Sequence, residues 1–228
     1  MICSGEQTIL LYPVNEIDSI AIQNIIISLE QYKNGELQLS PEGIRFEKII
    51  PEKDFEFSLQ SENSWIYKEK MGYKNQLFII GGGHCALAFS KLMREMDFYI
   101  CLYDDRKNLP TIIKNDAVHE KHVINNYSEL SRLISSGSNY YTVIMTFGYR
   151  TDDIALKALL DKEFKYLGLL GSKTKIEKMF DDYRKEGIKE EWLQRIHTPI
   201  GLAIKSQTPE EIAISIAAEI IKEKNEHL

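Results

Sequence analysis

The stretch LFIIGGGHCALAF, residues 77–89, runs from an apolar segment into three glycines, a histidine and a cysteine. Gly81-Gly82-Gly83-His84-Cys85-Ala86 fits the spacing G-x-G-x-x-A. Placed between a strand and a helix, Gly81 permits a tight turn, Gly83 lets a phosphate approach the backbone, and Ala86 is small enough for close helix–strand packing. The helix N-terminus then favours an anion. Asp104 follows at 104 − 83 = 21 residues, close to the roughly 20-residue distance of a ribose-binding acid. Arg106 beside it leaves a 2′-phosphate open. This pattern predicts a dinucleotide or similar phosphate-bearing ligand. The alternative is a tight turn inherited with the fold that binds nothing. His84 stands where a pyrophosphate or a metal-bound group would pass, and it serves equally well as a histidine bonded to nearby backbone.

Further candidates lie downstream. In MTFGYRTDD (145–153), Thr146, Gly148 and Asp152 or Asp153 either line the same site or cap a helix starting near Thr151. In LLGSKTK (169–175), Gly171 and Ser172 open a helix carrying Lys173 and Lys175, which is either a second anion site or a solvated lysine face. His197 precedes Pro199-Ile200-Gly201-Leu202, a loop able to close over a sheet edge. Of three cysteines, Cys85 and Cys101 lie in apolar runs and read as buried, inert thiols. Cys3, before Ser-Gly in a polar stretch, is the candidate reactive thiol.

The elements that must position these residues show a periodic order. The apolar runs LFIIG, FYICLYD, YYTVIMTF and YLGLLG alternate with amphipathic segments at 84–95, 127–136, 150–162 and 173–186, and a short strand is expected near HVIN. Continuous apolar strands separated by helices predict a parallel sheet covered on both faces, hence an α/β, Rossmann-like domain over 75–228. Thr208-Pro209-Glu210-Glu211 carries a cap, a proline at the first helical position and an acid three residues after the cap. The helix it starts places Ile212, Ile216 and Ile220 on one face, for a core or an oligomer contact. Residues 1–74 differ: EQTILLYPV reads as a strand, EIDSIAIQNIIISLEQYKNG as a helix ending at Gly35, and LQLSPEGIRFEKII and DFEFSLQ as short strands around a turn at 40–43. A small β-rich α+β region is expected there, with the polar stretch 67–76 as its boundary.

The chain has 228 residues, 43% hydrophobic and 27% charged, which are ordinary globular values. A formal net charge of −6 argues against a nucleic acid or an anionic membrane as the main partner. No run of about 18 apolar residues is present, so no membrane-spanning helix is expected. The first ten residues lack the basic and apolar regions of a secretory signal, so the expected location is cytoplasmic. The cysteines are too few and too scattered for a disulfide framework or an all-cysteine metal site.

Taken in order, LFIIGGGHCALAF, YDDR (103–106), VIMTFGYRTD (143–152), YLGLLGSKTK (166–175) and PIGLAIKSQTPEEIAISIAAEII (199–221) resemble the XdhC/CoxI family, accessory factors for xanthine dehydrogenase and related molybdenum hydroxylases. MICSGEQTILLYP resembles the cysteine-glycine stretch that begins the middle region of full-length members. The resemblance implies a Rossmann-like C-terminal domain and a protein that binds molybdenum cofactor (molybdopterin), protects it during sulfuration and delivers it to an apo-hydroxylase. It further implies a homodimer, a molybdenum hydroxylase client and a sulfurtransferase as partners. The cofactor's phosphate would take the glycine turn. Gly81, Gly82, Gly83, His84, Asp104, Arg106, Thr146, Gly148, Gly171 and Ser172 then form the expected binding set, with Cys3 as a molybdenum or sulfur contact. Three departures stand against the family pattern. The chain starts at the later cysteine, so the family's own N-terminal region is expected to be missing; Phe147 replaces a histidine, and Ala203 an aspartate. The alternative functions are an NAD-dependent oxidoreductase, with His84 or His197 as proton donor, and a nucleotide-sensing regulatory module.

Overall fold

The structure, a computed structural model, describes residues 9–49, 51 and 53–226. Cα packing divides the chain into two units, 1–72 and 73–228.

In the first unit, a single helical turn at Glu16–Asp18 leads into α1 (Ser19–Glu30), and four strands follow: β1 (Gly35–Ser40), β2 (Gly43–Glu47), β3 (Phe55–Ser61) and β4 (Ser64–Met71). They form an antiparallel sheet in the order β2-β1-β4-β3. Buried Asp18 fastens the start of α1 to this sheet, accepting from the Tyr12 hydroxyl, the Asn15 amide and the Ile44 amide. One expectation changes here, and another is refined. The described part of EQTILLYPV, residues 9–14, joins no strand; Pro13 interrupts the run by removing a ladder donor. The polar stretch 67–76 contains the division between the two units, and its first part, as far as Met71, belongs to strand β4. Its polarity reflects a sheet face left to solvent, where alternation replaces a continuous apolar run.

The second unit contains β5 (Asn75–Ile80), α2 (His84–Arg94), β6 (Phe98–Asp104), α3 (Pro110–Ile113), β7 (Glu120–Val123), α4 (Leu130–Leu133), β8 (Gly137–Ile144), α5 (Tyr149–Leu159), β9 (Phe164–Leu169), α6 (Lys173–Lys185), α7 (Glu190–Gln194), β10 (Ile196–His197) and α8 (Pro209–Asn225). Its six strands are parallel in the order β10-β9-β8-β5-β6-β7. Alternate side chains of each strand feed two cores, as strand geometry requires. Leu77 and Ile79 of β5 pack with Phe89 and Met93 of α2 and Ile216 and Ile220 of α8 on one face. Phe78 and Ile80 pack with Leu156 and Leu159 of α5 and Met179 and Tyr183 of α6 on the other. Ile216 and Ile220 are thus core residues, with Ile212 partly buried beside them. The amphipathic segment at 127–136 is shorter than its periodicity predicts: a single 3-10 turn and then α4 end before Gly137 opens β8. Ser135, Ser136 and Gly137 are poor helix formers; the two serines join no element, and Gly137 begins the strand.

Candidate functional site

Four strand ends converge at the carboxyl edge of the parallel sheet. Gly81–His84 follow β5, Asp104–Arg106 end and follow β6, Thr146–Gly148 follow β8, and Gly171–Ser172 follow β9. The chain turns from β5 toward β6 on one side, while β8 flanks β5 on the other. Such a reversal of strand order opens the crevice in which α/β sheets bind ligands.

The glycine turn is held from three directions. Gly81, with φ +105, donates its amide to the Tyr103 carbonyl at 2.7 Å. A side chain there would collide with the Met145 carbonyl. The Gly82 amide donates to Asp104 Oδ2 at 2.6 Å, and the Gly82 carbonyl accepts from the Thr111 hydroxyl. Gly83, by contrast, faces open space: a Cβ built on it meets nothing within 4 Å. It caps α2, whose first amides lack intrahelical acceptors, and His84 beside it is exposed. The end of the turn left open is therefore Gly83–His84, while Gly82 is committed to the protein.

Asp104 is buried, and both its oxygens are filled. Besides Gly82, it accepts from the Arg106 amide and Nε, both at 2.8 Å to Oδ1, and from Arg106 Nη2 at 2.6 Å to Oδ2. Burial works to raise this carboxyl's pKa, but the Arg106 guanidinium and the Gly82 and Arg106 amides outweigh it and hold it below the usual carboxylate range. Asp104 positions the turn and Arg106. The guanidinium remains 36% exposed and sits 6.0 Å from the ring centre of Phe147, itself 89% exposed. An arginine and an uncovered aromatic ring thus flank the crevice.

Behind Phe147, buried Asp152 takes the Thr146 amide at 3.0 Å and the Thr146 hydroxyl at 2.5 Å, and pairs with Lys175 Nζ, which also donates to the Leu170 carbonyl. This network ties the end of β8 to the start of α6, so Thr146 and Lys175 spend their polar groups internally. Ser172 caps α6 by accepting from the Lys175 amide. Lys173 points to solvent near Glu177, and Asp153 pairs with Lys157. His197 lies in β10 with its ring stacked on Tyr166 at 4.4 Å. Cys85 is half-buried, and burial raises its thiol pKa; Cys101 is buried, and the same effect pushes its thiol up to about 12. Cys3 lies outside the described residues.

Sequence reasoning missed the anchor of the 199–202 loop. Glu219 accepts from the Gly201 amide at 2.9 Å and from the Tyr166 hydroxyl, and the Leu202 amide donates to the Ser215 carbonyl at 3.1 Å. Gly201, with φ +92, lies so close to α8 that a Cβ would strike Ser215 Oγ. The one signal for this anchor is an acid amid the apolar positions of a helix. Along α2 and α8 a groove of about 610 Å³ runs from His84, lined by Leu87, Lys91, Pro209, Ala213 and Ile214. No helix among the described residues is long and apolar enough to cross a membrane.

The chain is similar to known proteins. The XdhC Rossmann domain family matches residues 77–220. An uncharacterized protein of Escherichia coli strain K12, YqeB, is 30% identical over 155 residues, 68% of this chain and 28% of that protein. A Bacillus subtilis strain 168 protein, a probable xanthine dehydrogenase component, is 31% identical over 80 residues, 35% of this chain and 22% of that protein. The matches thus span less than a third of either relative. The crystal structure of a xanthine dehydrogenase from Bacillus halodurans superposes with a TM-score of 0.69 at 23% identity, covering 95% of this chain and 67% of that one, and so shares the fold.

Proposed function

As the chain belongs to the XdhC Rossmann-domain family, we propose that it is an accessory factor that binds molybdenum cofactor and assists its sulfuration and its insertion into a xanthine dehydrogenase-type molybdenum hydroxylase. The Bacillus relatives, both named for xanthine dehydrogenase, support this client class. Cofactor handling of this kind needs a phosphate grip, a surface for a planar ring and a docking face; it needs no hydride-transfer machinery. The observation that carries the reading is the division of labour at the glycine turn. Gly83 and His84 open the N-terminus of α2 to an anion, and Arg106 adds positive charge nearby. The exposed Phe147 ring offers a stacking face for a pterin. Molybdenum cofactor, when bound, supplies the metal and its dithiolene ligands; the chain's residues grip and shield it. Asp104 favours this over a ribose-binding role, because both of its oxygens already hold protein donors.

Native mass spectrometry of the protein purified from cells that make molybdenum cofactor tests the assignment. A retained molybdopterin mass that disappears in Gly83→Asp, a position with room for the new carboxylate, is the expected result. Absence of pterin together with micromolar NADH binding would overturn it in favour of a dehydrogenase or a nucleotide sensor.

A further inference from the structure

Away from the glycine turn, the outer edge of the parallel sheet gathers three metal-ligating side chains. Strands β6 and β7 place Cys101 beside Glu120 and Tyr103 beside His122. Side chains two apart along a strand share a face. Cys101, Glu120 and His122 therefore project together, and a sulfur, a carboxylate oxygen and an imidazole nitrogen lie within 4.8 Å of one another. β7 is the outermost strand, so the cluster has a closed wall and an open side. Cys101 is 1% exposed, whereas the Glu120 and His122 side chains are 43% and 38% exposed.

Supporting contacts hold each group in place. Gln76 Nε2 donates to Cys101 Sγ at 3.4 Å, and the Tyr99 hydroxyl donates to Glu120 Oε1 at 2.6 Å. Tyr103 stacks on the His122 ring at 4.6 Å and 15°. Glu120 Oε2 and His122 Nε2 share a hydrogen bond at 2.6 Å. Metal sites are commonly built this way, with outer partners that orient each ligand.

We propose that Cys101, Glu120 and His122 bind one transition-metal ion of the Zn(II) class, with a fourth position open to water on the solvent side of β7. One thiolate, one imidazole and one carboxylate suit a borderline ion and not Mg(II) or Ca(II), which take oxygen donors. Ligand atoms about 2.0–2.3 Å from a tetrahedral metal stand roughly 3.3–3.8 Å apart, so binding breaks the 2.6 Å hydrogen bond between Glu120 and His122, whose two atoms separate, and closes the wider gaps in the cluster, none of which exceeds 4.8 Å. Glu120 and His122 supply that movement from the open side. On binding, the Cys101 thiol proton and any proton on His122 Nε2 leave to solvent, and no electron changes hands. The ion would join the outermost strand to the sheet interior. This site is independent of the molybdenum-cofactor reading.

Cobalt(II) titration of the full chain, free of any histidine tag, tests it, with a Cys3→Ser/Cys85→Ser double variant alongside. The expected result in both proteins is saturation at one equivalent, with a thiolate-to-cobalt band in the near ultraviolet and the visible bands of a tetrahedral site, displaced by Zn(II). Cys101→Ser should abolish the thiolate band. His122→Ala should weaken binding at least about 100-fold and Tyr99→Phe about 10-fold, bracketing the range for supporting partners. If Cys101→Ser fails to fold by circular dichroism, His122→Ala and Glu120→Gln carry the test, since both residues face solvent in part. A folded wild type without the thiolate band at saturating cobalt overturns the site. So does a band that persists with unchanged affinity in His122→Ala, or one that is lost in the Cys3/Cys85 variant.

Discussion

The three glycines of the turn are not equivalent, and their difference is measurable. Gly81 combines φ +105 with a backbone approach to Met145 that leaves no space for a methyl. Gly81→Ala should lower unfolding free energy by about 2–4 kcal/mol. Gly83 has neither constraint, and Gly83→Ala should cost about 1 kcal/mol or less, the loss of a favourable helix cap; urea unfolding of the two variants separates them. Asp104 makes a pH prediction. Its folded-state pKa lies below the ordinary 3.8, so between those values the unfolded chain binds the extra proton. The stabilisation is fully present above 3.8 and is lost as pH falls through that value toward the folded-state pKa. Asp104→Asn should remove this part of the acid sensitivity and destabilise the protein at neutral pH by about 2 kcal/mol, since the Gly82 and Arg106 donors lose a charged acceptor. Urea midpoints compared from pH 7 down to about 3 would read both effects; an unchanged pH slope would contradict the role given to Asp104.

Among the elements, α8 shows how a cap and an apolar stripe share the work. Thr208 accepts from the Glu211 amide at 3.2 Å, and the Glu211 carboxylate accepts in turn from the Gln207 and Thr208 amides. Thr208→Ala should cost about 1 kcal/mol, and Ile216→Ala, in the middle of the buried stripe, about 2–5 kcal/mol. Guanidinium midpoints for the two variants should rank accordingly. The start and stripe of this helix were legible in the sequence because capping residues and 3.6-residue periodicity act locally. The segment at 127–136 was misread for the complementary reason. Its apolar spacing suits a helix, but the start of β8 is set by pairing with β9, where Gly137 lies opposite Phe164, and that partner is remote in sequence. β4 was missed because a strand half open to water carries no continuous apolar run.

For the molecule as a whole, strand position predicts protection. β5 and β8 have neighbours on both sides and cores on both faces, while β7 bounds the parallel sheet and β3, exposed along its length, bounds the antiparallel one. Amide hydrogen exchange should be slowest in β5 and β8 and faster by orders of magnitude in β3 and β7, because outer strands open without disrupting a core; equal protection would contradict this ranking. The sequence by itself determined the parallel α/β architecture, the glycine turn, the cap of α8 and the family. The turn, the cap and each single motif depend on periodicities and spacings within about 25 residues, where chain stereochemistry alone restricts the outcome, while the architecture and the family follow from the order of such segments along 77–221. Only the tertiary structure decided which polar groups remain available. It commits Asp104 to Gly82 and Arg106, Asp152 to Thr146 and Lys175, and Glu219 to the 199–202 loop. It leaves Gly83, His84 and Phe147 open at the sheet edge and brings Cys101 beside Glu120 and His122. A residue's type states which bonds it can form. Which of those bonds the protein itself fills depends on how the fold places partners both near and far along the chain, and no local pattern encodes that.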